Sequence, residues 1–365
     1  MRRIGIVGAG PAGSAAGFHL AARGFSVTLI DRAHFPRDKV CGDWIPHAAL
    51  RELESLGVDA AALPGATLIR GTALASPAGL ETFATLARPA RCIRRCVLDD
   101  AVRDRALAAG CTPLLRDVRV GSDPLLDEFD LVIDARGAHT AAANAVGLRA
   151  YWRVPREAMT THERACVRLF TDAAFPRGYA WIFPLDDGDD AVRLNIGVGM
   201  LRSDSRRGHT VTDFLARFET RNPMLRRLAP TAVGRERPIG CHVGLGGWNL
   251  HAADDNVLRV GDAANLADPL TGDGIGNALR SGSLVADAIA RSRDAAEAAS
   301  RWRRSCAEHF GPEHRRALIL RRLLQSTPAK NAAARLLRAS AGARGRLHAT
   351  LFGEAPYRAL LLPDA

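Results

Sequence analysis

Gly8, Gly10 and Gly13 follow the apolar run Ile4-Gly5-Ile6-Val7, and a carboxylate, Asp31, ends the next apolar run, Val27-Thr28-Leu29-Ile30. Glycines after a buried strand permit a tight turn and let backbone approach a diphosphate closely. The helix behind them turns its unpaired N–H groups toward that charge. Asp31 is then placed to accept a ribose hydroxyl. The surroundings agree: a helix is predicted from Ser14 to Arg23 with a stop at Gly24, so the segment reads as a dinucleotide-binding βαβ unit.

Further elements must hold this unit and bring a substrate to it. Arg95-Cys96-Val97-Leu98-Asp99 opens a helix expected to run to Ala109, and Phe129–Ala135 reads as a buried strand ending in a turn. Between about 155 and 250 the pattern changes to alternation. Tyr179, Trp181 and Phe183 share one face, Asp186–Asp190 makes a turn, and Val192, Leu194, Ile196 and Val198 alternate with Arg193, Asn195, Gly197 and Gly199. This predicts a hairpin whose rings give a cavity wall apolar surface while Gly197 and Gly199 leave room; ordinary core packing is the competing use of the same pattern. Val257–Ala264 returns as a strand and turn, and Pro269-Leu270-Thr271-Gly272-Asp273-Gly274-Ile275 is a glycine-rich entry to a helix reaching about Arg291. The chain from 296 to 365 is expected to be helical, with breaks at Pro312, Pro328 and Gly342. The predicted division is a discontinuous nucleotide-binding domain (1–75, 95–155 and 250–295), a β-sheet substrate domain (76–94 and 156–249) and the C-terminal helical region.

Composition bounds the function. At 365 residues with 47% hydrophobic and 24% charged content, the chain is globular and long enough for two or three domains. Its net charge of +11 is almost all arginine, since Lys39 and Lys330 are the only lysines, and no basic stretch is interleaved with stacking aromatics. Nucleic acid is therefore not an expected partner. Seven scattered cysteines without CxxC spacing read as reduced thiols, not as disulfides or a metal site. Arg2 and Arg3 before the uncharged stretch Ile4–Ala22 superficially resemble a secretory leader, but each interior glycine costs a helix about 1 kcal/mol. The expectation is a cytoplasmic enzyme. Its basic C-terminal helices read as solvated faces, with weak peripheral contact to anionic lipid as the alternative.

Taken together, five segments resemble the geranylgeranyl reductase family of FAD-dependent oxidoreductases, within the hydroxylase-like flavoproteins. They are the Gly8-x-Gly10-x-x-Gly13-x-x-x-Gly17 run with Asp31; Phe35-Pro36-Arg37-Asp38-Lys39-Val40-Cys41-Gly42-Asp43; Arg95-x-x-Leu98-Asp99; Gly178–Pro184 with Asn195–Gly199; and Gly261-Asp262-Ala263-Ala264 with Pro269–Ile275. The resemblance implies an α/β fold: a Rossmann-like, hydroxylase-type FAD domain with a second, mostly antiparallel sheet and C-terminal helices. It implies FAD contacts from Gly8, Gly10, Ala12, Gly13, Asp31, Arg32, Cys41, Gly42, Asp43, Arg95, Asp262, Pro269, Gly272, Gly274 and Ile275. Asp31 would bind the adenosine ribose, Arg95 the phosphate and ribityl region, and Asp262 the ribityl or diphosphate. A helix starting near Gly274 would aim free N–H groups at the flavin edge that gains charge on reduction. Cys41 would gate the ring or donate a proton, or else serve only as a buried thiol. Trp44, Tyr179, Trp181, Phe183, Asn195 and Gly197 would meet the substrate.

The resemblance implies reduction of a C=C bond in a prenyl-like or other apolar molecule. NAD(P)H or another reductant, including an electron-donor protein, would act transiently, because only one dinucleotide fingerprint is present. Aromatic or polyketide hydroxylation on the same scaffold is the alternative. Halogenation is disfavoured: related halogenases need a tunnel lysine, and none lies between Lys39 and Lys330. Two departures bear on substrate identity: Arg136-Gly137 stands where many relatives carry Asp-Gly, and Trp44 where a smaller residue is common.

Overall fold

The computed structural model describes residues 3–139, 143–186, 188–205, 208, 210–246, 253–254 and 256–360; Asp187 of the expected turn and the last five residues lie outside them. In chain order the main elements are β1 (Arg3–Val7), α1 (Pro11–Ala21), β2 (Ser26–Asp31), β3 (Thr67–Ala75), β4 (Glu81–Cys92), α2 (Arg95–Ala108), β5 (Thr112–Leu115), β6 (Leu131–Asp134) and β7 (Ala145–Pro155). They continue with β8 (Cys166–Phe170), β9 (Gly178–Asp186), β10 (Ala191–Leu201), β11 (Val257–Arg259), α3 (Ile275–Ala290), α4 (Ala295–His309), α5 (Gly311–Leu323), α6 (Thr327–Ala339) and α7 (Ala341–Leu351).

Strands β5-β2-β1-β6-β11 form a parallel sheet, extended past β11 by the antiparallel pair partner Ala253–Asp254. This is a doubly wound order that reverses between β1 and β6, so a crevice opens beyond the ends of those two strands. Both faces are covered, which is why β1 and β6 read as apolar runs: Ile4, Ile6, Leu131 and Ile133 are fully buried under α1, α3 and α4, while Val118, Leu126 and Phe129 of the connection between β5 and β6 pack against Val7 and Val132 on the other face. Small residues set how closely α1 and α3 pack. A Cβ on Gly282 would lie 2.6 Å from the Ala12 carbonyl oxygen and 2.7 Å from the Ala15 Cβ, so α3 holds α1, and with it the glycine turn, at a distance that a larger residue would forbid. Trp302 of α4 closes this core and donates its indole N–H to the Arg259 carbonyl at 2.8 Å.

The second sheet runs from Gly234–Arg235 through β7-β10-β9-β8-β3-β4 to Trp44–Ile45, antiparallel except where β3 meets β8. It takes in Thr67–Ala75 and Ala145–Pro155, because both pair along their length with strands of this sheet. Its faces divide by the period of two. Ala180, Ile182, Leu194, Ile196 and Val198 pack with Phe214, Phe218 and Leu225 of the covering helices (211–221 and 223–228), while Tyr151, Trp181 and Phe183 face the other way. Helix breaks fall just before Pro312, Pro328 and Gly342, each of which sits in the first turn of its helix, where a missing N–H or a flexible backbone costs least. Among the described residues, no helix is long and apolar enough to cross a membrane.

Candidate active site

The crevice at the β1/β6 reversal is shaped by glycine. Gly8 has φ +108°, and a Cβ there would sit 2.4 Å from the Ala135 carbonyl oxygen at the end of β6; a Cβ on Gly13 would fall 1.9 Å from the Gly8 oxygen. Both positions therefore need glycine for the turn itself. Gly10 differs: a Cβ would meet only the tip of Arg37 at 3.3 Å, so its backbone lies bare to the cleft. It is also the N-cap of α1, whose first turn no side chain caps. Unpaired N–H groups therefore remain there for an anion.

Asp31 holds the turn. Its carboxylate accepts the Ala9 N–H at 2.8 Å and the Ala33 N–H at 2.9 Å, with Arg37 3.8 Å away. Arg37 bridges on to Asp99 at 3.3 Å, and Asp99 takes a two-pronged pair from Arg95, both contacts 2.7 Å. Arg95 thus fronts the cavity with its guanidinium already fixed by α2. Asp262 pairs with Lys39 at 3.2 Å, and Arg136 folds back on Asp134 with two contacts of 3.0 Å.

The cleft opens into a cavity of about 1020 Å³, at the top of the roughly 300–1,000 Å³ common for ligand sites. Gly8, Gly10, Ala12, Asp31, Arg32, Cys41, Gly42, Arg95, Asp262, Pro269, Gly272, Gly274 and Ile275 line one part of it. Tyr179 and Trp181 stand where this part joins a second, apolar part walled by Leu74, Leu169, Met200, Leu324, Leu337, Leu347 and Leu351. The bare glycine backbones, the uncapped helix and the surrounding arginines suit an anionic dinucleotide such as FAD, and the elongated cavity leaves space beyond it.

Several expected site residues sit behind the wall. Gly13 lies under the turn. Trp44 packs against Phe183 and Phe352, and Phe183 is covered by Gly42, where a Cβ would lie 2.9 Å from its ring. Gly197 gives its space to Trp181, since a Cβ there would be 2.1 Å from the indole. Asn195 spends its amide inside the protein: it donates to the Cys41 carbonyl at 2.7 Å and to Asp43 at 2.8 Å, and accepts the Trp181 N–H at 2.8 Å. At the start of α3 no side chain caps the Gly274 end, and the carboxylate of the half-buried Asp273 stands beside its first N–H groups. Burial, with Asp268 adding to it, lifts that carboxyl to about 7.

Asp43 is the hub of a buried network that spacing alone did not reveal. It has φ +61°, is fully buried, and accepts the Tyr151 hydroxyl at 2.5 Å, the Asn195 amide and the Arg95 N–H at 3.3 Å. Burial raises its carboxyl to about 6 against the pull of the Tyr151 and Asn195 hydrogen bonds. Arg149, also buried, lies 3.9 Å over the Tyr151 ring and reaches Asp38 at 2.5 Å. Both residues were missed, although Arg149-x-Tyr151 alternates in step with the hairpin: Tyr151 pairs with Asn195 and Arg149 with Gly197. Cys41 is on the wall; burial pushes its thiol up, so it stays protonated, and its sulfur accepts the Asp43 N–H at 3.4 Å. Lys330 also reaches the wall, from α6, with its Nζ bonded to the Pro176 carbonyl at 2.6 Å. The argument against halogenation from a tunnel without lysine therefore does not hold.

Residues 6–38 match the NAD(P)-binding Rossmann-like domain family. A menaquinone reductase of Mycolicibacterium smegmatis is 32% identical over 88% of this chain and 86% of its own. Digeranylgeranylglycerophospholipid reductase 1 of Methanothermobacter thermautotrophicus is 25% identical over 84% of this chain and 83% of its own. A geranylgeranyl bacteriochlorophyll reductase-like protein of Thermoplasma acidophilum shares the fold, with a TM-score of 0.75 at 19% identity over 92% of this chain and 91% of that one. With this extent of similarity, the chain belongs to the geranylgeranyl reductase family of FAD-dependent oxidoreductases.

Proposed function

We propose that this enzyme reduces a carbon–carbon double bond of an isoprenoid or similarly apolar substrate. One observation carries the reading: the glycine-lined cleft and the leucine-walled chamber are a single cavity joined at Tyr179 and Trp181. The two curated relatives described above are reductases by name, one of them of a geranylgeranyl lipid, which supports it.

When bound, FAD supplies the electron pair for the reduction, and NAD(P)H or another reductant, such as an electron-donor protein, replenishes it. The protein's part is placement. Gly8, Gly10 and the first turn of α1 would hold the diphosphate, Asp31 keeps the turn closed, and Arg32, Arg95 and Asp262 would offer it charged and polar contacts from the same cleft. Tyr179, tied to the Thr271 carbonyl, and Trp181, tied to Asn195, hold two ring faces fixed at the join. The leucine walls exclude water and select an apolar chain. Cys41 is positioned to hold a proton at its sulfur on the cavity wall.

The test is anaerobic: the yellow holoenzyme is reduced and mixed with polyprenyl alkenes. Reoxidation of the flavin without oxygen, with a saturated product, is expected. Reoxidation that requires oxygen and yields a hydroxylated product would favour the hydroxylase alternative instead. In the same assay Cys41→Ser is expected to slow turnover with full FAD content, and unchanged turnover removes Cys41 from the chemistry.

A further inference from the structure

Asp43 is a costly residue for its place. Its backbone, at φ +61°, lies in the left-handed region that favours Gly and tolerates Asn, and its carboxylate is fully buried. The donors that reach this carboxylate are all neutral: the Tyr151 hydroxyl at 2.5 Å, the Asn195 amide at 2.8 Å and the Arg95 backbone N–H at 3.3 Å. Among the described residues no guanidinium or ammonium group stands within ion-pair distance of it. An amide oxygen in the position that takes Tyr151 and Asn195 would accept the same two bonds without burying an anion that no cation pairs. Hydrogen bonding therefore accounts for an acceptor at this position but not for its charge.

The charge has a titratable neighbour on the cavity wall. The Asp43 N–H points at the Cys41 sulfur, 3.4 Å away, and one amide nitrogen, Nδ2 of Asn195, bonds both the Cys41 carbonyl at 2.7 Å and the Asp43 carboxylate at 2.8 Å. Thiol and carboxylate are thus locked in one geometry, with Cys41 lining the cavity. Burial holds the thiol proton most strongly; Arg95 of α2, the Asp43 N–H and Lys39 of the same loop draw it off, and the Asp43 charge opposes them. Both cations are already paired, Arg95 with Asp99 and Lys39 with Asp262, whereas Asp43 acts with its full charge. Cys92 of β4, Tyr179 of β9 and Cys241 of the strand 239–243 also face the sulfur, and burial keeps all three protonated. On its far side Asp43 meets Tyr151 and, beyond it, Arg149 of β7, whose guanidinium goes to Asp38 at 2.5 Å.

We propose that Asp43 is the positioning residue of Cys41: its carboxylate keeps the sulfur protonated on the cavity wall against Arg95 and Lys39, so that the thiol has a proton to give to the double bond. The inference rests on the reductase reading of the cavity and adds a residue that never touches substrate. With the electron pair and first hydrogen coming from the reduced coenzyme, the S–H bond breaks, its proton joins the second alkene carbon, and the sulfur is left a thiolate that water reprotonates.

The holoenzyme is labelled with iodoacetamide, which reacts with the thiolate, from about pH 6 to about pH 10.5. Cys41 is read by mass spectrometry of the tryptic segment 40–51, which carries no other cysteine. In Asp43→Asn the midpoint of labelling is expected to fall by about one pH unit or more, the effect of losing a like charge a few ångströms away. Asp43→Gly, at home in the left-handed backbone, is the second charge-free variant and is expected to match it. Tyr151→Phe removes the shortest hydrogen bond of the network but keeps the charge, and its midpoint is expected to stay at the native value. Unchanged midpoints in the charge-free variants overturn the proposal, as does an absence of labelling in every protein at every pH. A fall in Tyr151→Phe equal to that in Asp43→Asn also overturns it, because loosening of the loop would then be the cause. The alkaline limit of kcat for alkene reduction is expected to fall with the labelling midpoint in Asp43→Asn. A limit that stays put while the midpoint moves overturns the use of the Cys41 proton. If no alkene is turned over, the reductase reading fails, and the labelling midpoint, which needs no substrate, decides Asp43 separately.

Discussion

Asp43 shows how much one buried carboxyl can govern here. Its proton is held more tightly in the folded protein, with a pKa of about 6, than in the unfolded chain near 3.9. The stability this gives is complete below about pH 4 and is lost as pH rises through 6, a swing of at most roughly 3 kcal/mol. Asp43→Asn cannot titrate, so its stability relative to the native protein is expected to improve by about 1–2 kcal/mol between pH 4.5 and 7.5 in denaturant melts. Parallel pH profiles for the two proteins would contradict this. The residue type was legible in the Cys41-Gly42-Asp43 loop, but its partners were not. Tyr151 and Arg149 come from a strand far along the chain, and only the sheet register brings them together.

At the scale of elements, the β1-α1-β2 unit and the β9-β10 hairpin were readable because their periods, apolar runs before glycines and strict alternation, are local properties of the sequence. Which rings reach the cavity was not. Trp181 and Phe183 share a strand face, yet the loop at Gly42 lies over Phe183 and leaves Trp181 on the wall, a contact between distant segments. Gly197 is part of the same lesson: it looked like room for a substrate and is room for an indole. Gly197→Ala is expected to cost about 1–3 kcal/mol by overpacking. In a Trp181→Leu background the cost should shrink, with a coupling of roughly 1 kcal/mol, although the Leu148 carbonyl at 2.6 Å keeps it above zero. Strict additivity in the double-mutant cycle would show that the glycine is not there for the ring.

At the scale of the molecule, helices α5 to α7 roof the chamber, and no sequence period could say that Arg321 and Lys330 turn inward, because their partners, the Pro269 and Pro176 carbonyls, belong to distant segments. The roof is fastened by His348, buried on α7, whose Nδ1 and Nε2 lie 2.8 Å and 3.0 Å from the hydroxyls of Thr72 and Thr82. Burial, with Arg344 adding to it, lowers its pKa to about 4 from the usual value near 6.5. That stability is whole above pH 6.5 and is lost as pH falls toward 4, at most about 3 kcal/mol. Limited proteolysis within the roof is expected to accelerate between pH 7.5 and 5 in the native protein and to be flat in His348→Asn; equal acceleration in both would exclude the histidine as the fastening. The cleft, for its part, needs Gly8–Gly13 from the start of the chain, Asp134–Arg136 from its middle and Gly261–Ile275 from late in it. On the ribosome, therefore, the nascent glycine turn waits with no opposite wall until most of the polypeptide has emerged, and coenzyme capture belongs to the last act of biosynthesis.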